Sequence, residues 1–219
     1  MQSVRIVFSK EGHTAFISHL DLIRCISRAM SRANLPVYYT QGFNPQPYLV
    51  FSPPLSLGYI GKAEICDFSV TDDAMSLKEV MDRLNAVMPQ GIRIVSCSAP
   101  VHKLGAIAWA DYRMELLLSE PAQKWADAVH DCLTQPELKI IKKSKRGERE
   151  VNLPELIDAL KVSAEGETVL VECRLPLTGE NSLNPRYVFD ALRDRLDIPV
   201  IDETVIRTQF LLEDKTPFC

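Results

Sequence analysis

"VRIVFSKEGHTAFISHLDLIRCISRAMSRA" (residues 4–33) joins a strand pattern directly to a helix pattern. Residues 4–8 are mostly β-branched or aromatic, which is typical of a strand. From Ser18 onward, apolar residues recur at helical spacing, and Asp21 follows Ser18 at the spacing of a capping box. We therefore predict a strand and then a helix that begins after Ser18 and buries one side, formed by Leu20, Ile23, Ile26 and Met30.

The rest of the first hundred residues continues this alternation. Strand patterns occur in "YLVFS" (48–52), "EICDFSV" (64–70) and "IRIVSCS" (92–98). Between the last two, apolar residues share one helical face, formed by Leu77, Val80, Met81, Leu84, Val87 and Met88. The predicted element order is therefore βαββαβ.

A second series of patterns follows a short link. Its strand patterns are "AIAWADYRMELLL" (106–118), "LKIIKKS" (138–144), "ETVLVECRLPL" (167–177) and "VIRTQFLLE" (205–213). Helices are predicted from Pro121 and after Asn184, because asparagine is a good cap and proline suits a first turn. A small helix, "LPELIDALKV" (153–162), is predicted as an insertion.

Both series fit the α+β class, in which antiparallel sheets pack helices on one face. The element order predicts a tandem ferredoxin-like architecture, with βαββαβ occurring twice. We expect an N-terminal domain over residues 1–100 and a C-terminal domain over residues 107–219. No close sequence repeat accompanies this order, so the prediction depends on the order of elements alone.

Composition limits the classes of function. The 219 residues are 46% hydrophobic and 25% charged, and the net charge of −4 argues against a protein that coats nucleic acid indiscriminately. No apolar run is long enough to span a membrane, and the first residues lack a signal-peptide core, so we predict a cytoplasmic protein. The six cysteines have no CxxC spacing and are expected to be reduced residues of the core.

Residues 33–61 contain no charged side chain, but they include six aromatic residues and five prolines. Gly42 and the Asn44-Pro45 pair predict a tight turn. A stiff loop of this kind can stack bases or cover an apolar ligand, and the candidate binding residues are Tyr39, Gln41, Phe43, Asn44 and Gln46. The alternative is that the aromatic residues fill the core and the prolines only direct the chain.

Two cationic groups are candidate anion-binding sites. Helical spacing places Arg24, Arg28 and Arg32 on one stripe, where guanidinium groups suit phosphates. The segment "KIIKKSKRGERE" (139–150) predicts a basic hairpin, whose candidate residues are Lys142, Lys143, Lys145, Arg146 and Arg149. The alternatives are a solvated helix face and a loop that only aids solubility.

Signals for catalysis are weak. The four histidines have no metal-binding spacing, so no metal site is predicted, and no GxSxG, GxGxxG or GxxxxGK[ST] motif occurs. His13, His19 and Asp21 lie around the start of the first helix and are weak candidates for acid–base roles.

The segment "FISHLDLIRCISRAMSRANLPVYYTQGFNPQPYLVFSPPLSLG" (16–58) resembles the signature of the bacterial radical SAM-linked protein family, an uncharacterised group. "KIIKKSKRGEREVNL" (139–153), "NSLNPRYVFDAL" (181–192) and "VIRTQFLLED" (205–214) resemble its later landmarks. The resemblance implies a companion of a radical SAM enzyme, carried as a separate protein or as an extension of the enzyme. The family pattern has histidine where this sequence has Gln46, which favours recognition over catalysis there.

A radical SAM enzyme holds its [4Fe–4S] cluster through closely spaced cysteines, typically CxxxCxxC, and this sequence lacks such a triplet. No cofactor is therefore expected on this chain, while the cluster and S-adenosylmethionine are expected on the partner. The predicted tandem fold is similar to that of CRISPR RNA-processing endoribonucleases and of one tRNA pseudouridine synthase family, but their catalytic motifs are not evident here. RNA binding fits that analogy better than RNA chemistry.

Three hypotheses follow. The first is a non-catalytic accessory protein that presents a structured RNA, a tRNA or an rRNA, to a radical SAM enzyme. The second is an enzyme in its own right that acts on RNA or on a small anionic substrate. The third is a protein-interaction module whose uncharged loop docks the radical SAM enzyme. The sequence leaves the oligomeric state open.

Overall fold

A computed structural model of the chain describes residues 1–144 and 147–219. The described residues form four α-helices and ten β-strands, and the strand pairs below are antiparallel, which confirms the predicted α+β class. The chain divides into two units. The first comprises Met1–Ala106 with Phe218–Cys219, and the second comprises Ile107–Pro217. The predicted C-terminal domain, 107–219, therefore differs in its last two residues, which belong to the first unit.

The first unit has the predicted order of elements. Its elements are β1 (Gln2–Lys10), a 3-10 helix (Gly12–Phe16), α1 (His19–Arg32), β2 (Val50–Phe51), β3 (Ile60–Val70), α2 (Leu77–Asn85) and β4 (Ile92–Ser98). Strand β1 pairs with β3 on one side and with β4 on the other, and β2 pairs with β3. The strand order within this unit is β4-β1-β3-β2.

Helix α1 begins as the sequence predicts. The Ser18 hydroxyl accepts a hydrogen bond from the Asp21 backbone N–H at 3.1 Å and donates one to the Asp21 carboxylate at 2.7 Å. The prediction of Leu20 on the buried side was wrong, since its side chain is 64% exposed. Leu20 precedes the fully buried Ile26 by six residues, which places it about 120° around the helix axis. The buried side of α1 consists of Leu22, Ile26, Ala29 and Met30.

The core of the first unit lies between its sheet and its two helices. One cluster of buried side chains joins β1, α1, β3, α2 and β4. Among its fully buried members are Ile6, Ile26, Val70 and Leu84. The sheet face and the two helical stripes therefore bury one another, as the apolar periodicity predicts.

The second unit contains the remaining elements. They are β5 (Trp109–Leu118), α3 (Gln123–Leu133), β6 (Lys139–Ser144), β7 (Gly147–Asn152), a 3-10 helix (Leu153–Leu156), β8 (Asp158–Glu165), β9 (Thr168–Pro176), α4 (Arg186–Arg195) and β10 (Val200–Leu211). Strand β5 pairs with β10 and with β9, and β9 pairs with β8. The strand order within this unit is β10-β5-β9-β8, and β6 and β7 form a separate two-stranded sheet.

The predicted strand 138–144 is present as β6, and it pairs with β7 in the separate two-stranded sheet. The predicted helix 153–162 was wrong, because this segment is a short 3-10 turn followed by strand β8. Leucine and isoleucine do recur at helical spacing in 153–162, but pairing with β9, where Val162 lies opposite Val171, satisfies the backbone instead.

The six cysteines are free thiols, of which Cys66, Cys132 and Cys173 are buried. Burial raises the pKa of the Cys97 thiol to about 11 and that of Cys173 to about 12, so both stay protonated at neutral pH. Among the residues that the structure describes, none of the helices combines the length and the hydropathy needed to cross a bilayer.

Candidate functional site

Residues 38–48, the aromatic loop, fold back on themselves in the first unit. The Thr40 N–H donates to the Gln46 carbonyl at 2.8 Å, and the Tyr48 N–H donates to the Tyr38 carbonyl at 3.0 Å. The Tyr38 N–H in turn donates to the carbonyl of Ser69 on β3 at 2.9 Å. The loop is therefore a narrow, hydrogen-bonded projection anchored on the sheet, not an unstructured segment.

The tip of the aromatic loop presents its side chains to solvent. Gly42 has φ of +139°, a conformation that favours glycine, and the next side chain, Phe43, is fully exposed. Tyr39 and Tyr48 are 42% and 52% exposed. The Gln46 side-chain amide donates to the Asn44 side-chain oxygen at 3.4 Å, so the two predicted binding residues are neighbours.

The six aromatic residues of 33–61, a range described in full, do not fill the core. Tyr39, Phe43 and Tyr48 are exposed, and Tyr38, Phe51 and Tyr59 are half-buried. The alternative in which the aromatic residues are core residues is therefore wrong for the loop tip. Gln41 and Asn44 are exposed as well. The aromatic loop thus offers apolar rings beside amide groups, the combination that can stack and hydrogen-bond an unpaired base.

Arg24, Arg28 and Arg32, the arginine stripe, lie exposed on α1 in the same unit. Arg24 pairs with the Asp21 carboxylate at 3.0 Å, and Arg32 donates to the Val87 carbonyl at 3.0 Å. Arg28 has neither a hydrogen bond nor an ion pair within residues 1–144 and 147–219. The stripe therefore presents solvated guanidinium groups, of which Arg28 is the least engaged.

The three weak acid–base candidates occupy different settings. His13 is exposed in the first 3-10 helix, and the ring of His19 meets that of Phe51 edge to face, with centroids 5.5 Å apart. Hydrogen bonds from Ser18, and then from Arg24, lower the pKa of Asp21. Asp21 is thus an ionised residue of the first turn of α1 and is poorly suited to donate a proton.

Sequence reasoning missed two buried charged residues beside His19. Lys10 and Glu64 are only 2% and 4% exposed, and the Lys10 ammonium donates to the Ala15 carbonyl at 3.0 Å. With His19 and Phe51 they line a cavity of about 10 Å³, which is room for one water. No motif marks these residues, because charged side chains of strands ordinarily face solvent. The cavity brings an ammonium, a carboxylate and an imidazole together but leaves no space for a substrate.

The predicted basic hairpin consists of β6 and β7 in the second unit. Lys142 lies directly opposite Arg149, and burial, followed by the charge of Arg149, lowers the pKa of Lys142. The Lys142 ammonium donates to the Glu180 carbonyl at 2.6 Å. Arg149 lies 3.9 Å from the Glu180 carboxylate. Lys145 and Arg146 lie outside the described residues.

Carboxylates alternate with the cations of this hairpin. Lys143 pairs with Glu148 at 3.2 Å, and Lys139 contacts Glu137 at 2.6 Å and Glu150 at 3.5 Å. Each of its described lysines therefore has a partner, which weakens the positive potential that the sequence predicts. In the part of the chain that the structure describes, no three His, Cys, Asp or Glu side chains converge as a metal site.

The fold and the exposed loop define an α+β protein of two antiparallel units, one of which carries an aromatic surface loop. The chain belongs to the family described as "Uncharacterized protein conserved in bacteria (DUF2344)", whose model matches residues 3–185. The expectation of an uncharacterised bacterial family is thereby confirmed, whereas this match does not address a radical SAM enzyme.

Other comparisons add little. No curated protein matches the chain. A chain of the "Crystal Structure of a Cbf5-Nop10-Gar1 Complex" is similar with a TM-score of 0.47 and 14% sequence identity. The match covers 94% of this protein and 48% of that chain, so this protein spans about half the length of that neighbour. Similarity at this level carries no argument about function.

Proposed function

We propose that this protein is a non-catalytic accessory protein that binds a structured RNA, a tRNA or an rRNA, and presents it to a radical SAM enzyme. The observation that carries the proposal is the aromatic loop, which holds Phe43 fully exposed on a hydrogen-bonded projection. Tyr39 and Tyr48 of the same loop are exposed as well, and neighbouring exposed apolar side chains often mark a contact surface. Unpaired bases suit such a surface, because they stack on aromatic side chains.

Base contacts would come from the aromatic loop. Tyr39 and Phe43 would stack on exposed bases, while the amides of Gln41, Asn44 and Gln46 would hydrogen-bond base edges. Glutamine at position 46 retains both a donor and an acceptor, which suits recognition.

Phosphate contacts would come first from the arginine stripe. Its guanidinium groups are exposed, and Arg28 needs to break no contact with the described residues to meet a phosphate. Lys142, Lys143 and Arg149 would contribute less, because each lies against an acidic residue. An acidic protein with such a local cationic patch would bind selected RNAs and would not coat nucleic acid generally.

Radical chemistry would come from the partner. The sequence has no CxxxCxxC triplet, so the iron–sulfur cluster and S-adenosylmethionine would reside on the radical SAM enzyme. A tRNA or rRNA substrate would place the pair in the cytoplasm.

Each unit, we further propose, is a ferredoxin-like domain. The strand orders β4-β1-β3-β2 and β10-β5-β9-β8 describe the same arrangement of first, second, third and fourth strands once the β6–β7 hairpin is set aside. A crossover helix joins the first to the second strand and the third to the fourth in each unit. This equivalence supports the tandem architecture that the element order predicts.

Salt-dependent binding of the arginine variants tests the RNA proposal. The plot of log K against log salt has a negative slope. Combining Arg24→Gln, Arg28→Gln and Arg32→Gln should make this slope shallower by about 2, because three phosphate contacts are lost. Arg93→Gln is the control, since Arg93 is exposed on β4 of the same unit but lies outside the stripe. Unchanged affinity and slope in the triple variant would contradict the assignment of the arginine stripe to RNA.

A further inference from the structure

A groove of about 1050 Å³ lies between β6 and α4 in the second unit. Residues 138–143 form one wall, and α4 with the segment before it forms the other. The floor includes the buried residues Leu138 and Ala191. The groove is large enough for an extended segment of several residues.

Strand β6 directs one of its backbone edges into this groove. On the inner side, the Leu153 N–H donates to the Leu138 carbonyl at 2.9 Å, so Leu138 faces β7. On the outer side, the Lys143 N–H donates to the Tyr187 hydroxyl of α4 at 2.9 Å. Backbone groups alternate in direction along a strand, so those of Ile141 also point away from β7, toward the groove.

The outer edge of β6 is an open sheet edge. Within residues 1–144 and 147–219, β7 is the only strand that pairs with β6. Proteins usually cover such edges or keep them short, because unpaired N–H and C=O groups are a template for another strand. Here the Tyr187 hydroxyl accepts a hydrogen bond from the Lys143 N–H. Helix α4 lies on the other side of the groove and, being a helix, does not pair with the edge as a strand would.

We propose that an extended, acidic segment of a partner protein binds in this groove and adds to β6 as a third strand. The inference goes beyond RNA binding and holds whether or not RNA binds the first unit. Backbone pairing would supply the affinity, as in other cases of strand addition. Side chains of the added strand that point to one face would meet Ile141, which is 49% exposed.

Charge complementarity argues for acidic side chains. Five cationic residues line the groove, and three of them already pair with carboxylates, namely Lys139, Lys143 and Arg186. The other two, Lys142 and Arg195, form no ion pair with any described residue, and Lys142 donates only to the Glu180 backbone carbonyl. Glutamates on an added strand would pair with these two cations.

A peptide fits the groove better than RNA. The open edge offers alternating donors and acceptors, which match another strand, while a phosphate backbone can use only the donors. An RNA would also meet Asp190 and Asp194 on α4. An extended peptide, in contrast, can place its acidic side chains near the lysines and its apolar side chains near Ile141.

Peptide binding to the full chain provides the test. The probe is a fluorescent ten-residue peptide in which Glu alternates with Val, compared with a Lys-Val peptide and with a ten-nucleotide single-stranded RNA.

Three variants test the binding of the Glu-Val peptide. Ile141→Pro removes an N–H that points to the groove but spares the β6–β7 hydrogen bonds, and it should weaken binding about tenfold or more. Arg195→Gln changes only a surface side chain and should weaken binding about threefold to tenfold. Lys161→Gln, on β8 away from the groove, is the charge control and should leave affinity unchanged.

Hydrogen exchange of the Ile141 amide distinguishes strand addition from general charge attraction. Adding the Glu-Val peptide should slow exchange at Ile141, and the Lys-Val peptide should not. Absence of binding at millimolar peptide, or wild-type affinity in the Ile141→Pro variant, would overturn the proposal. Displacement of the peptide by the RNA, with RNA affinity reduced in Arg195→Gln, would identify the groove as a nucleic-acid site instead.

Discussion

Gly61 leaves no room for a side chain, because the Glu64 side chain beside the buried cavity packs against it. Gly61 lies opposite Lys10 in the pairing of β1 and β3, and a Cβ at position 61 would lie 2.5 Å from the Glu64 Cγ. Glu64 is buried, so its side chain cannot move aside into solvent. Gly61→Ala should therefore lower the free energy of unfolding by about 1–3 kcal/mol, measured by urea denaturation.

Gly105→Ala is the matched control for that substitution. An added Cβ there meets nothing within 4 Å, and its effect should stay within about 0.5 kcal/mol. Equal stability of the two variants would contradict the tight packing of Glu64 over Gly61.

Glu203 on β10 gives a pH dependence whose sign follows from its burial. Its side chain is 11% exposed, and burial raises its pKa above the ordinary 4.5 even though Arg193 and Arg186 lie nearby. Between the unfolded and folded pKa values the folded state binds more protons, so stability falls as pH rises through this window.

Comparison of the wild-type protein with Glu203→Gln isolates this effect, because glutamine does not titrate. The difference in free energy of unfolding, wild type minus variant, should decrease as pH rises from 4.5 toward 7. A difference that is constant or increases with pH would show that Glu203 is not the group responsible. Urea denaturation of both proteins at several pH values measures this difference in free energy of unfolding.

Some residues were predictable from local pattern and others were not. Ser18 and the exposed arginines follow from spacing along one helix. Lys10 and Glu64 were missed because their burial depends on segments distant in sequence, including the chain around Phe51. Local periodicity gives no information about which distant segments cover a strand.

At the scale of elements, the cap of α1 is directly testable. Ser18→Ala removes the acceptor for the Asp21 N–H and should cost about 1 kcal/mol in free energy of unfolding. Ser31→Ala is the control within the same helix, because its hydroxyl only donates to the Ser27 carbonyl, at 3.3 Å. That variant should change stability by a few tenths of a kcal/mol. A larger loss in Ser31→Ala than in Ser18→Ala would refute the capping role.

A substitution at the tip of the aromatic loop should change RNA affinity without changing the stability of the fold. Phe43→Ala should lower RNA affinity about tenfold, the order expected for loss of one stacked base, without changing the unfolding transition, because the ring is fully exposed. Leu57→Ala removes an exposed side chain outside the loop and is the control. If Phe43→Ala instead abolished binding of the radical SAM enzyme and left RNA affinity intact, the loop would be a protein-docking surface.

Elements formed by local signals were predicted better than those that depend on pairing partners. The start of helix α1 was predicted from its Ser18 cap, and helix α2 was predicted from its single apolar face. Strand β8 was predicted as a helix because its neighbouring leucines fit a helical period, and only its pairing with β9 decides otherwise. The exposed state of the aromatic loop was left open by the sequence, since an apolar, proline-rich segment fits both core and surface.

At the scale of the whole molecule, the order of elements predicted the α+β class and two successive units. It did not predict that Phe218–Cys219 would belong to the first unit. There the Arg5 guanidinium lies 4.6 Å from the centre of the Phe218 ring and forms two 2.7 Å hydrogen bonds with Asp67. A contact between the two ends of the chain has no local signature in the sequence.

The most direct test of RNA presentation is a salt-dependent binding titration of the intact protein against a tRNA, an rRNA fragment and duplex DNA. The proposal predicts tighter binding of RNA than of duplex DNA, with log K falling against log salt at a slope of about −2 or steeper. Failure to bind either RNA, or binding no tighter than that of duplex DNA, would contradict the proposed function.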